Sequence, residues 1–148
     1  MNTNPIFKQQ TTGFSQEYLT NEIIMWGHNK GIIKFSTSDA QASKTLEEVE
    51  ELRTHAAQLK FLREVVFPFL DELDTTDPTM EKYVTEGYEK MEADLLSKLV
   101  DDYGDVFVTL VMGAEIEGID IRSAIASAYD EIKDRRGEMR ADGKFHKE

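Results

Sequence analysis

Leu46-Glu47-Glu48-Val49-Glu50-Glu51-Leu52-Arg53-Thr54-His55-Ala56-Ala57-Gln58-Leu59 is the stretch that decides the fold. Its apolar residues Leu46, Val49, Leu52, Ala56 and Leu59 recur at intervals of three and four, the spacing that lines one face of an α-helix. Ser36-Thr37-Ser38-Asp39 offers caps for the start of this helix, and Pro68 is expected to end or bend it. The same period continues outward in both directions. Upstream, Leu19, Ile23 and Trp26 share a helical face, with Ser15 placed to cap the segment and Gly31 to close it. Downstream, Asp71 to Thr79 is a turn-rich break, after which Pro78 suits the first turn of a helix carrying Met80, Tyr83, Val84, Met91 and Leu95. Gly87 weakens that helix. The pattern resumes through Leu96, Leu99, Val100, Tyr103, Val106, Phe107 and Leu110 until Gly118. Asp120 can then cap a last helix built on Ile121, Ala124, Ile125, Ala128 and Ile132 and closed by Gly137. Nothing alternates with period two, so the expected fold is an all-α bundle of about four to five helices in a single domain.

Composition narrows the function classes. The 148 residues suffice for one domain with a core. Asp and Glu outnumber Lys and Arg 29 to 17, a net charge of −12 that opposes non-specific binding to nucleic acid. The absence of cysteine rules out disulfides, thiolate zinc sites and thiol nucleophiles. Residues 1–12 are polar, without a signal-like apolar region, and are expected to be a flexible N-terminus. The longest apolar run, Val106 to Ala114, is too short to span a bilayer. A soluble cytoplasmic protein without membrane or nucleic-acid partners is the expectation.

Two acidic clusters stand inside the helical patterns, Glu47-Glu48-Val49-Glu50-Glu51 and Asp101-Asp102-Tyr103-Gly104-Asp105. Carboxylates crowded on helices repel one another unless a cation neutralises them, so the pair of clusters reads as a metal site. Relative to the Leu46 to Leu59 stripe, Glu48, Glu51 and His55 line one border, while Glu47 and Glu50 point further away. Asp102 and Asp105 lie three apart, with Lys98 one turn before Asp102. The Val-Phe-Val-Thr-Leu-Val-Met run after Asp105 is apolar nearly all round, which places Asp105 close to the interior in this reading. Hard oxygen ligands on facing helices suit Mg²⁺, with Mn²⁺ as a substitute, and such ions are commonly shared with substrate phosphates.

These residues resemble the MazG-like family of all-α nucleoside triphosphate pyrophosphohydrolases, of the phage and bacterial type. That family carries a Glu-Glu-x-x-Glu-Leu element, here Glu47-Glu48-Val49-Glu50-Glu51-Leu52, and a later Glu-x-Gly-Asp-like pair, here Asp102-Tyr103-Gly104-Asp105. Trp26-Gly27-His28-Asn29-Lys30-Gly31-Ile32 is similar to an upstream Trp-x-x-x-Arg-Gly element. Glu131 to Met139, followed by Gly143-Lys144-Phe145, is similar to a closing basic segment. The resemblance implies cleavage of a nucleotide between its α- and β-phosphates, giving a monophosphate and pyrophosphate. It implies Mg²⁺ on Glu48, Glu51, Asp102 and Asp105, with Glu47 or Glu48 acting on the attacking water. Lys98, Lys133, Arg135 and Arg136 would meet the phosphates. A homodimer or homotetramer with sites at subunit contacts is also implied, the Val106 to Ala114 girth fitting a buried interface. Asp102 departs from the family's Glu and shortens the reach by one methylene. The spacer from Leu52 to Asp101 is longer than the family core needs and either extends the central helices or inserts another.

Trp26 stacks on a nucleobase in one reading, with His28 or Asn29 at its edge, and packs in the core in another. His55 is a ligand, a partner behind the ligands, or simply a part-exposed histidine. Tyr103 and Tyr129 fall at core-facing positions. Lys133, Arg135, Arg136, Arg140, Lys144 and Lys147 form a basic C-terminal stretch, read as a phosphate lid or, from Arg140 on, a frayed tail. Two other functions fit the same residues. One is hydrolysis of an alarmone or signalling nucleotide. The other is a non-catalytic acidic helical protein that binds a basic partner.

Overall fold

The computed structural model describes residues 13–72 and 77–148, so the expectation for residues 1–12 lies outside the described residues. Helix α1 spans Gln16–Asn29 and begins where the Ser15 hydroxyl accepts the Tyr18 amide. A one-turn helix α2, Ile32–Phe35, follows Gly31, whose φ of +76° glycine adopts without steric cost. Helix α3 covers Ser38–Phe61, capped by Thr37, whose hydroxyl accepts the Ala40 amide. Helical backbone continues past the end of α3 and through Pro68. Residues Leu62–Val66 form a π-turn in which the Phe67 amide donates to the Leu62 carbonyl, and the short helix α4, Phe67–Asp71, carries Pro68 in its first turn. The added residue shifts the ladder so that the proline sits where no amide is needed.

Helix α5, Pro78–Ile116, is a single rod of 39 residues, about 58 Å long, capped by Asp77. Gly87 and Gly104 do not interrupt it. The long spacer therefore lengthens α3 and α5, with the π-turn and α4 between them among the described residues. Helix α6, Ile121–Ile132, starts at Asp120, which accepts the Arg122 amide. The architecture is all-α, and no described helix is long and apolar enough to cross a membrane.

α3 and α5 pack antiparallel and form the backbone of the fold. Thr45 meets Thr109 (2.9 Å), His55 meets Asp102 (2.7 Å) and Arg63 meets Glu92 (2.6 Å), which fixes their register. At one end the core is Leu59, Leu62 and Leu95, flanked by Val66, Phe67, Tyr88, Leu96 and Leu99. At the other, Val111 and Met112 are buried against α1 and α2. A β-carbon on Gly27 would overlap the Met112 sulfur, so the absence of a side chain there is what lets α1 seat on α5.

Several face assignments need correction. Leu46 is 68 % exposed, and the buried side of α3 runs through Thr45, Glu48, Val49, Leu52, His55 and Leu59. That face is rotated from the apolar stripe because polar residues that find partners in the seam, Thr45, Glu48 and His55, share it with the aliphatic ones. Trp26, Tyr103 and Tyr129 are exposed, and so are Met80, Tyr83 and Met91 of the α5 stripe. The chain beyond Gly137 is not a frayed tail. Strand β1, Gly137–Met139, pairs antiparallel with strand β2, Phe145–Lys147, through a turn that Gly143 makes at φ +75°.

Candidate functional site

The α3/α5 register carries the two acidic clusters along one seam. Among the described acidic residues only Glu48 and Asp102 are buried, 8 % and 6 % exposed, one from each cluster. Asp102 accepts from His55 Nδ1 at 2.7 Å through Oδ2. Glu48 Oε1 lies 2.7 Å from Lys44 Nζ, one turn earlier on the same helix. Lys44 also reaches Glu47 Oε2 at 2.9 Å. Glu48 first and Glu47 second hold the Lys44 ammonium well above the ordinary lysine range, since each favours its charged form. Each buried carboxylate keeps one oxygen, Oε2 of Glu48 and Oδ1 of Asp102, without a hydrogen-bond partner among the described residues.

Glu51 and Asp105 are exposed. The expectation that Asp105 approaches the interior is thus wrong. The following run, Val106 to Met112, buries Thr109, Val111 and Met112, and Asp105 stays exposed although the 102, 105, 109, 112 spacing puts it on the same helical face as Asp102, Thr109 and Met112. Glu51 and His55 border a shallow recess of about 310 Å³ with Glu50 and Thr54. No three acid or histidine side chains among the described residues converge on one point. Seven residues separate Glu48 from His55, the level of Asp102, which is about 10 Å of helix. The acids are strung along the seam.

The other expected site residues lie elsewhere. Trp26, 45 % exposed, belongs to the end of α1 that packs near Met112, about 10 Å of helix beyond Asp105. His28 Nε2 is 3.3 Å from Glu115 Oε1 and ties α1 to the far end of α5. Lys98 sits one turn from Asp102 and lines a groove between α3 and α5. Lys133 pairs with Asp130 (2.9 Å) and Arg135 with Glu131 (4.0 Å), both within α6 and its end, and Arg136 leads into the hairpin. Within one chain these cations do not gather at the acidic seam with Lys98. Two participants went unassigned in the sequence. His55 was weighed but given no role, and its spacing from Glu51 was the available signal. Lys44 was missed, although Lys44 and Glu48 show the four-residue spacing of a helical ion pair.

The seam offers the carboxylate oxygens of Glu48 and Asp102, which suit a hard divalent cation, with the His55 imidazole beside Asp102. No protein-family model, no curated protein and no solved structure matches this chain.

Proposed function

We propose that the chain is a Mg²⁺-dependent nucleoside triphosphate pyrophosphohydrolase, acting in the cytoplasm on ribo- or deoxynucleotides. One observation supports this most: of all the described acids, the two withdrawn from solvent come one from each cluster and share the seam between the same two helices. Burying a carboxylate costs free energy that a surface position avoids, and a site for a cation gives that cost a use.

The resemblance would assign Mg²⁺ to Glu48, Glu51, Asp102 and Asp105, but among the described residues of one chain these acids are strung along the seam and do not converge on a single ion. When bound, Mg²⁺ would polarise phosphoryl oxygens and lower the pKa of a water beside it. The chain's own residues have separate tasks. His55 fixes the Asp102 carboxylate against α3, leaving Oδ1 for a ligand. Lys44 draws Glu47 and Glu48 together, and the solvent-facing Glu47 is the group to orient or deprotonate the attacking water. Lys98, one turn from Asp102, meets a phosphate oxygen. The same phosphate chemistry serves an alarmone such as guanosine tetraphosphate, so that substrate belongs in the assay.

A second reading is favoured by one specific observation. Asp105, Glu51, Glu50, Glu47 and Asp101 are all exposed, as an acidic protein that binds a basic partner requires. The burial of Glu48 and Asp102 counts against it. Product analysis separates the two: purified protein with Mg²⁺ and a nucleotide panel should yield monophosphate and pyrophosphate. No turnover of any nucleotide by folded protein would leave the binding reading.

A further inference from the structure

The acidic seam and the apolar groove continue one another along the α3/α5 pair. On α3, Glu51, His55, Gln58 and Leu62 follow at intervals of four, three and four, so they share a face. On α5, which runs the other way, Asp105, Asp102, Lys98, Leu95 and Met91 follow at intervals of three and four. Each series begins with acids. Each ends in a groove of about 620 Å³ that Phe61, Leu62, Tyr88, Met91 and Leu95 wall. Lys98 stands between the two regions, about 6 Å of helix from Asp102 and about 4.5 Å from Leu95.

The groove has the make-up by which proteins hold small molecules: a concave, mainly apolar surface with a few polar groups. Phe61 and Met91 are largely exposed in it and offer a ring and a polarisable thioether to a planar group. Tyr88 is set in the wall by Phe67, edge-on at 6.3 Å between ring centroids. The π-turn, an irregularity frequent at functional sites, lends Leu62 and Val66 to the lining. Across this end of the helix pair Arg63 binds Glu92 at 2.6 Å. The polar side chains of the lining, Gln58, Asp94 and Lys98, make no hydrogen bond or ion pair among the described residues. All the groove residues fall in the long spacer between Leu52 and Asp101, so the groove belongs to this chain and not to the core of the family it resembles.

We propose that this groove holds the purine base of a nucleotide, with Lys98 on a phosphate and the acids beyond it. The phosphate end rests on the reaction proposed above; the base end rests on the groove alone. A carboxamide offers a donor and an acceptor side by side, the pattern that pairs with adenine N6 and N7, and a carboxylate accepts from the N–H groups of guanine's Watson–Crick edge. Gln58 and Asp94 supply one of each. A pyrimidine ring covers less of the apolar wall, so purines are held more tightly. Leu95 and Asp102 are about 10 Å of helix apart, which leaves the sugar the stretch beside Lys98.

The full chain, labelled with ¹⁵N, is titrated with AMP, GMP and CMP without Mg²⁺, so that binding is read without turnover. AMP or GMP should shift the amides of residues 57–66 and 88–98 saturably, with CMP weaker by roughly fivefold or more. Phe61→Ala and Met91→Ala, both at exposed positions, should each weaken purine binding by roughly fivefold or more while the rest of the spectrum stays that of the wild type. No shift at millimolar nucleotide, or shifts confined to residues outside the groove, overturns the proposal. So does CMP that binds as tightly as the purines, or a folded Phe61→Ala and Met91→Ala pair that binds like wild type. The reaction is judged apart from this. Purine binding in the groove with no triphosphate hydrolysed under Mg²⁺ removes the pyrophosphohydrolase reading and keeps the groove. Hydrolysis with an unchanged KM in both variants keeps the reaction and removes the groove.

Discussion

Removing the His55 imidazole from the buried side of α3 should cost the fold measurably. His55 Nδ1 donates to Asp102 Oδ2 at 2.7 Å, and Asp102 is only 6 % exposed, so His55→Ala leaves a buried carboxylate short of its donor. Stranding one member of a fully buried ion pair costs about 3–5 kcal/mol, and losing a hydrogen bond to a charged group about 1.5–3 kcal/mol. The His55 side chain is 22 % exposed, so water can replace it in part and the lower range applies. The expected loss is about 2–3 kcal/mol, a fall in Tm of roughly 5–10 °C for a chain of this length. His55→Asn, which keeps an N–H near the Nδ1 position, should recover about half of that. Urea unfolding followed by circular dichroism at one fixed protein concentration gives the number, since assembly would otherwise shift the midpoint. The combined His55→Leu and Asp102→Leu change should be near neutral, because an apolar pair of similar volume loses little. A His55→Ala variant within about 0.5 kcal/mol of wild type would show that the pair does not hold the seam.

Gly27→Ala should destabilise by about 1–2 kcal/mol, the overlap with the Met112 sulfur outweighing the helical preference for alanine. Calorimetry reads it, and a stabilised variant would mean that α1 does not seat on α5 there. The hydrogen bond from His146, with a second from the Lys144 amide, holds the Asp142 carboxyl below its usual value. A depressed carboxyl adds stability above its unfolded pKa and loses it as pH falls through the lower folded value. The hairpin should therefore keep its amide shifts down to the ordinary carboxylate range and lose them only below it, with Asp142→Asn removing the transition. Asp120→Ala should fray the start of α6, since Asp120 caps the Arg122 amide and binds its guanidinium. Faster hydrogen exchange at residues 121–124, with α5 unchanged, is the expected readout.

The helical class and most boundaries were legible because local rules set them. Ser15, Thr37, Asp77 and Asp120 cap the helices where hydroxyl or carboxylate side chains precede apolar periods, and Gly31 turns the chain between α1 and α2. The choice of buried face was less legible. Thr45, Glu48 and His55 enter the seam because Thr109, Lys44 and Asp102 satisfy them, and a partner 64 or 47 residues away leaves no local periodic trace. The hairpin strands are three residues each, too short for a period-two pattern to stand out. Glu48 and Asp102 are both among the expected ligands and both are buried, but the sequence does not show which acid of the second cluster is the buried one. The apolar run after Asp105 draws it inward on paper, and it shares a helical face with Asp102, but the structure covers Asp102 with His55 and leaves Asp105 exposed.

The most direct test of the central claim is product analysis of ribo- and deoxynucleoside triphosphates and guanosine tetraphosphate, incubated with Mg²⁺ and either the wild-type chain or Asp102→Asn. Wild type should release monophosphate and pyrophosphate from at least one triphosphate, and the folded Asp102→Asn variant should lose that activity by roughly a hundredfold or more, about 2.7 kcal/mol of barrier. Equal turnover by both proteins, or none by a folded wild type that binds Mg²⁺, would contradict a phosphate-hydrolysing site at the α3/α5 seam.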